Sequence, residues 1–249
     1  GYNPSWCSIN DTYCQAAMMK IEFREVSFSY PDNPVLDSVN ITIGTSCFVC
    51  LIGLNGMGKT TLIDLISDKL KPISGEILME RDDGSYVEAN SVENVFALIP
   101  QGINDPMYLT VRETVSMARF DPRAIWKIRL SEHDETIITE SIELCGISDK
   151  QDRTFFELSG GEKQRVWLAF CLAQDKDILI LDESLHALDF PSRIFYFHLL
   201  SSLAASGKGI LLSTHEIALA ERYADRIIAL RDGHIVYDGP PIDNLASLI

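Results

Sequence analysis

Residues Gly53-Leu54-Asn55-Gly56-Met57-Gly58-Lys59-Thr60-Thr61 follow the pattern G-x-x-x-x-G-K-[ST]. Glycines in such a loop tolerate positive φ and carry no Cβ, so successive backbone N–H groups can converge on one oxyanion. A helix opening at Lys59 adds the positive end of its dipole. The chemistry predicted is phosphate binding. The loop residues Asn55, Gly56, Met57, Gly58, Lys59, Thr60 and Thr61 cradle the phosphates of a nucleotide, Lys59 reaches the β and γ phosphates, and the Thr60 hydroxyl holds Mg²⁺. A plain glycine-rich turn is the alternative. The placement of the loop between an apolar run and an amphipathic stretch argues against it.

Two further stretches carry chemistry. Ile178-Leu179-Ile180-Leu181 is followed by Asp182 and Glu183. A carboxylate at a strand end suits Mg²⁺ through water, and Glu183, one residue on, can polarise an attacking water. Leu158-Ser159-Gly160-Gly161-Glu162-Lys163-Gln164-Arg165 places Ser-Gly-Gly at a helix N-terminus, a second place where backbone N–H groups can meet an anion.

Three apolar runs, 47–52, 178–181 and 210–212, show no polar alternation, as strands buried on both faces of a parallel sheet do. Each leads straight into polar residues, and open α/β sheets bind ligands at the carboxyl ends of their strands. Leu62, Ile63, Leu65, Ile66 and Leu70 give TTLIDLISDKL one apolar stripe, which predicts a helix after the glycine loop. IEFREVSFSY, the turn at Pro31-Asp32-Asn33-Pro34 and VLDSVNITI predict an N-terminal antiparallel β-subdomain. Residues 103–157 predict an all-helical insert: Thr110 with Glu113 forms a capping box, and Ser131 opens a helix over about 135–145 that stops at Gly146. Helices near 192–205 and 216–223 and a hairpin on Asp232-Gly233 complete the chain. The fold class is α/β with a mostly parallel sheet.

The 249 residues carry 21 basic and 36 acidic side chains, a net charge of −15. So acidic a chain repels nucleic-acid backbones and anionic membrane surfaces at long range, so no nucleic-acid partner is expected. No apolar run approaches the ~18–20 residues needed to span a bilayer. Residues 1–17 lack a basic n-region and an apolar h-region and read as a leader before a start at Met18 or Met19. Cys47 and Cys50 read as buried strand rather than a metal or redox pair, and Cys7 and Cys14 in the leader could pair. His133, His186, His198 and His234 show no ligand spacing, and Trp167 and Phe170 read as core.

From Met19 onward the chain resembles the ATP-binding-cassette ATPases, whose signature reads LSGGQ or LSGGE, because the other family motifs appear in order. The resemblance implies a P-loop NTPase core in one domain over residues 18–249, with ATP and Mg²⁺ as ligands. It makes Tyr30 in FSYP the adenine platform and Gln101 in ALIPQ the glutamine near Mg²⁺ and the attacking water. Ser184-Leu185-His186-Ala187-Leu188-Asp189 corresponds to the D-loop, with Asp189 at the nucleotide interface. His215 in LLSTHE corresponds to the γ-phosphate histidine and Glu183 to the catalytic carboxylate. Family members have Pro where this chain has Ser184, which puts the stiffness of that turn in question.

The resemblance further implies a head-to-tail dimer of two copies with two ATP between them, in which Ser159, Gly160 and Gly161 of one copy meet the γ-phosphate held by the other. LTVRETVSMARF, ELSGGEKQRVWLAFCLAQ and HEIALAERYADRIIALRDGHIVYDGPP are similar to ATPase subunits of importers for iron-siderophore, haem and cobalamin chelates. The partners implied are integral-membrane permease subunits and, through them, an extracytoplasmic substrate-binding protein. The place implied is the cytoplasmic face of the cell membrane. Transport of a metal ion, amino acid or drug, a soluble ATPase switch without a permease, and a nucleotide-binding regulator without turnover are the other readings.

Overall fold

The computed structural model describes residues 19–31, 33–81, 83–87, 95–120, 130–182, 188–243 and 245. In chain order the strands are β1 (Met19–Tyr30), β2 (Asn33–Gly44), β3 (Cys47–Ile52), β4 (Ser74–Arg81), β5 (Phe96–Ile99), β6 (Ile178–Asp182), β7 (Gly209–Thr214), β8 (Arg226–Arg231) and β9 (His234–Gly239). The helices are α1 (Lys59–Ile66), α2 (Val111–Ser116), α3 (Glu132–Leu144), α4 (Gly160–Ala173), α5 (Phe190–Ala205) and α6 (Ile217–Tyr223).

Among the described residues the strands make two sheets. One is antiparallel, in the order β2-β1-β4. The other runs β5-β6-β7-β3-β8-β9 and is parallel except for the β8–β9 hairpin. That hairpin turns on Asp232 and Gly233, both with positive φ, the primed turn that matches strand twist.

The unalternated apolar runs have the structural meaning expected of them. Phe48, Cys50 and Ile52 of β3 enter one core cluster, while Cys47, Val49 and Leu51 enter the other. Leu179 and Leu181 of β6 likewise face one way and Ile178 and Ile180 the other. One cluster holds α4, α5 and the insert helices against the sheet. The other holds α1, through Leu62, Ile63, Leu65 and Ile66, between the parallel sheet and the antiparallel one. Cys47, Cys50, Cys145 and Cys171 are buried thiols, and burial raises those of Cys50, Cys145 and Cys171 above the ordinary thiol range.

Two helix boundaries differ from the sequence expectation. α1 stops at Ile66 instead of running to Leu70, because Asp68 takes a left-handed φ of 61° and the amides of Lys69 and Leu70 both turn back to the Asp64 carbonyl. α3 begins at Glu132, three residues before the 135 expected. Ser131 and Asp134 form a capping box: Ser131 Oγ accepts from Asp134 N at 3.2 Å, and Asp134 Oδ2 accepts from Ser131 N at 3.0 Å. Between 103 and 157 the described elements are α2, α3 and short 3₁₀ turns, closed at the base by an antiparallel bridge between Thr110 and Thr154.

Candidate functional site

The strand ends build the site. In register, Ile52 lies beside Thr214 and Asp182 lies beside Ser213. The carboxyl ends of β6, β7 and β3 are therefore neighbours, spaced at about 4.8 Å per strand. From this one edge emerge the glycine loop after β3, Asp182 closing β6 and His215 just past β7. β5 is the next strand outward, with Ile99 beside Leu181, so Gln101 leaves the same edge.

In the loop, Gly56 and Gly58 have φ of 83° and 101°, and Gly58 caps α1 in the left-handed conformation. A Cβ on Gly56 would meet nothing within 4 Å, whereas one on Gly58 would lie 3.0 Å from both Val35 Cγ1 and Leu36 Cδ2. The β1–β2 hairpin therefore rests on the loop. Tyr30 stands exposed at the tip of that hairpin with its ring edge-on to Phe28, centroids 5.0 Å apart. Lys59 is buried at the helix start, and its Nζ donates to the carbonyls of Gly53 at 2.8 Å and Leu54 at 3.1 Å. The ammonium is thus held inside the loop's curve by two backbone carbonyls. Met57 Sδ accepts from Asp232 N at 3.3 Å, which ties the loop to the β8–β9 turn.

The donor chemistry fits Mg²⁺. Thr60, Gln101 and Asp182 offer only hard oxygen ligands, and Asp182 is 98% buried at the end of β6. No group of three or more His, Cys, Asp or Glu that could hold a metal occurs among the described residues. A Mg²⁺ ion, which is held by one or two carboxylates plus substrate phosphates and water, suits that sparse set. His215 is exposed beyond β7. The turn around it is fixed by Glu216, whose N–H donates to Thr214 Oγ1 at 3.0 Å and whose carboxylate accepts from Arg193 at 2.5 Å. Glu183 and Ser184–Ala187 lie outside the described residues, as do Cys7 and Cys14. Asp189 is described: its carboxylate caps α5, accepts from Ser192 N at 2.9 Å and is held below the usual carboxylate range by Ser192.

The Ser-Gly-Gly stretch lies at the N-terminal end of α4. Ser159 is its N-cap, and Ser159 to Gly161 line a pocket with Gly146, Lys150, Glu162, Arg165 and Asp189. Glu162 closes a capping box on Ser159, and Lys150 pairs with its free oxygen, which together hold its carboxyl down at about 2, Lys150 being the larger cause. Lys163 pairs with Asp105 at 2.9 Å, tying α4 to the segment after Gln101. Lys150 and this tie were not anticipated from sequence. The S-x-x-E spacing at 159–162 is a visible capping signal, but nothing in it points to a lysine twelve residues upstream. Trp167 is core as expected, and Phe170 packs partly buried against it.

A family model described as ABC transporter matches residues 36–186, more than half of the chain. The petrobactin import ATP-binding protein FpuD of Bacillus anthracis is 34% identical over 89% of this chain and 81% of its own length. The iron(3+)-hydroxamate import ATP-binding protein FhuC of Bacillus subtilis is 30% identical over 91% of this chain and 84% of its own. The dimeric structure of MJ0796, a bacterial ABC transporter cassette, superposes with a TM-score of 0.72 at 26% identity, covering 89% of this chain and 99% of that one.

Proposed function

The chain belongs to the ABC transporter family of ATPases, and from that premise we propose that two copies close head to tail on two MgATP and power import of an iron chelate through a membrane permease. The observation that carries the ATPase reading is the row of strand ends. Lys59 inside the glycine loop, Asp182, His215 and Gln101 leave one edge of one sheet within adjacent strand positions. In phosphoryl transfer the protein contributes mostly position and charge. The loop amides and Lys59 hold the phosphates, and Tyr30 stacks the adenine. Thr60, Asp182 and Gln101 hold Mg²⁺, which offsets phosphate charge when bound. Glu183 orients the attacking water, and His215 grips the γ-phosphate.

Strand order supports the dimer. β5, against which α4 packs, lies three positions from β3, or about 14 Å across the sheet. Ser159 to Gly161 stand on that outer side of the strand row, where Gly160 shares a pocket with Gln101 and Asp182, and a second copy would bring such donors to the phosphate loop itself. ATP then bridges two protein surfaces, so its hydrolysis removes what holds them closed. No helix among the described residues is long and apolar enough to cross a membrane. The similarity to import ATP-binding proteins supports a peripheral subunit on the cytoplasmic face, whose permease in turn receives substrate from a binding protein.

Two experiments test the reading. Purified Glu183→Gln protein with MgATP elutes as a dimer on gel filtration, and persistence as a monomer would count against the sandwich. Affinity capture from native membranes brings down a permease of many transmembrane helices, whereas recovery of soluble partners only would move the protein out of transport.

A further inference from the structure

The phosphate-receiving end of α4 carries a carboxylate of its own. Glu162 is the third residue of the helix, and its Oε2 accepts from Ser159 N at 2.8 Å. That cap needs only an oxygen acceptor, and a glutamine would supply one. The negative charge is therefore surplus to capping, and it sits in the same pocket as Ser159 and Gly161. Left alone, it would oppose an incoming phosphate.

It is not left alone. Lys150, on the 3₁₀ turn Ser148–Lys150, reaches across to Glu162 Oε1. One carboxylate oxygen is taken by the cap and the other by the ammonium. Both side chains are about three-quarters buried, 26% and 23% exposed, so solvent screens the pair less than it would on open surface. The pocket's other cation, Arg165, is engaged elsewhere. Its guanidinium lies over the Phe195 ring, 4.0 Å from the centroid, and its field acts on Asp189. Nothing in the 3₁₀ turn requires the lysine side chain: its backbone bonds run from Lys150 N to Ile147 O and from Arg153 N to Lys150 O.

We propose that Lys150 is a positioning residue of the ATP sandwich: by pairing with Glu162 it keeps the N-terminal end of α4 receptive to the γ-phosphate held by a second copy of the chain. The inference rests on the reading of Ser159–Gly161 given above. Lys150 acts through Glu162, so its role exists only while position 162 carries charge.

The test uses the full chain with Glu183→Gln in every variant, titrated with MgATP, the dimer fraction being read by sedimentation velocity. Lys150→Met raises the ATP concentration for half-dimerisation about tenfold, the size of a partly screened charge–charge repulsion within one helical turn. Lys150→Arg stays near the parent. Adding Glu162→Gln to Lys150→Met restores dimerisation to within about twofold of Glu162→Gln alone, a rescue that a lysine acting independently of Glu162 would not show. Wild-type behaviour of Lys150→Met, or failure of Glu162→Gln to rescue it, overturns the inference. Gly161→Asp reports on the underlying reading separately. If that variant dimerises as readily as the parent, the signature does not meet phosphate, and the inference falls with it.

Discussion

Replacing Gly58 with Ala tests whether the phosphate loop is held in shape by the hairpin above it. Alanine at φ 101° leaves the allowed right-handed regions, at a cost of about 1–2 kcal/mol. Its Cβ would also meet Val35 Cγ1 and Leu36 Cδ2 at 3.0 Å and the Val35 carbonyl oxygen at 3.2 Å. The methyls can give by a few tenths of an ångström. The carbonyl belongs to β2 and can yield only with the whole hairpin, so crowding adds about 1–2 kcal/mol. Gly56→Ala is the internal control: φ is 83° there, but the Cβ enters open space, so only the backbone term of about 1–2 kcal/mol applies. In urea denaturation, at a slope of about 3 kcal/mol/M, the Gly58→Ala midpoint falls below that of Gly56→Ala by several tenths of a molar. MgATP affinity, read by calorimetry, also falls for Gly58→Ala, because relieving the clash lifts the hairpin that carries Tyr30. Equal midpoints for the two variants, or greater damage from Gly56→Ala, would refute the argument that the hairpin braces the loop.

Three further outcomes are expected. Lys59→Ala removes the ammonium that Gly53 and Leu54 hold in the loop, and MgATP binding disappears in calorimetry; retained binding would sink the loop assignment. Arg226 donates to both oxygens of Asp238 at 2.5 and 2.6 Å with both side chains more than nine-tenths buried, so Arg226→Met strands a buried carboxylate and costs about 3–5 kcal/mol in urea denaturation, part of which Asp238→Asn returns. Glu162 has its folded pKa depressed from 4.5 to about 2, so its stabilisation is present above pH 4.5 and drains away as pH falls towards 2. The stability gap between wild type and Glu162→Gln, measured by urea titration at several pH values, therefore closes across that window; a gap independent of pH would contradict the ion pair.

The chemistry was legible because in this site residue type and backbone role coincide. A loop of glycines ending in Lys59 is a strand-to-helix turn whose shape also suits the proposed phosphate cradle. The runs at 47–52, 178–181 and 210–212 announced their parallel pairing because both faces of each strand had to be apolar. Local pattern failed where one residue's backbone overrode it. Leu70 continues the stripe of α1, yet Asp68 has already left the helix. It failed altogether for contacts between distant residues: Lys150 to Glu162, Arg226 to Asp238 and Lys163 to Asp105 join positions that no period relates.

The same contrast separates the two anion-binding ends physically. Asp182 and Thr214 close β6 and β7, whose residues are buried throughout and packed on both faces, while Lys59 opens α1 beyond a loop whose residues 54–56 are exposed. The end at Ser159 stands on α4, which meets the apolar core along Val166–Ala173; its start is anchored by buried Leu158 just before the cap and by polar contacts, the cap on Ser159, Lys150 on Glu162 and Lys163 on Asp105. The two ends thus differ in what holds them: strand packing behind Asp182 and Thr214, and a buried leucine with charged pairs beside Ser159. On the inference above, the charge balance at Glu162 is what Lys150 adjusts at the second of these ends.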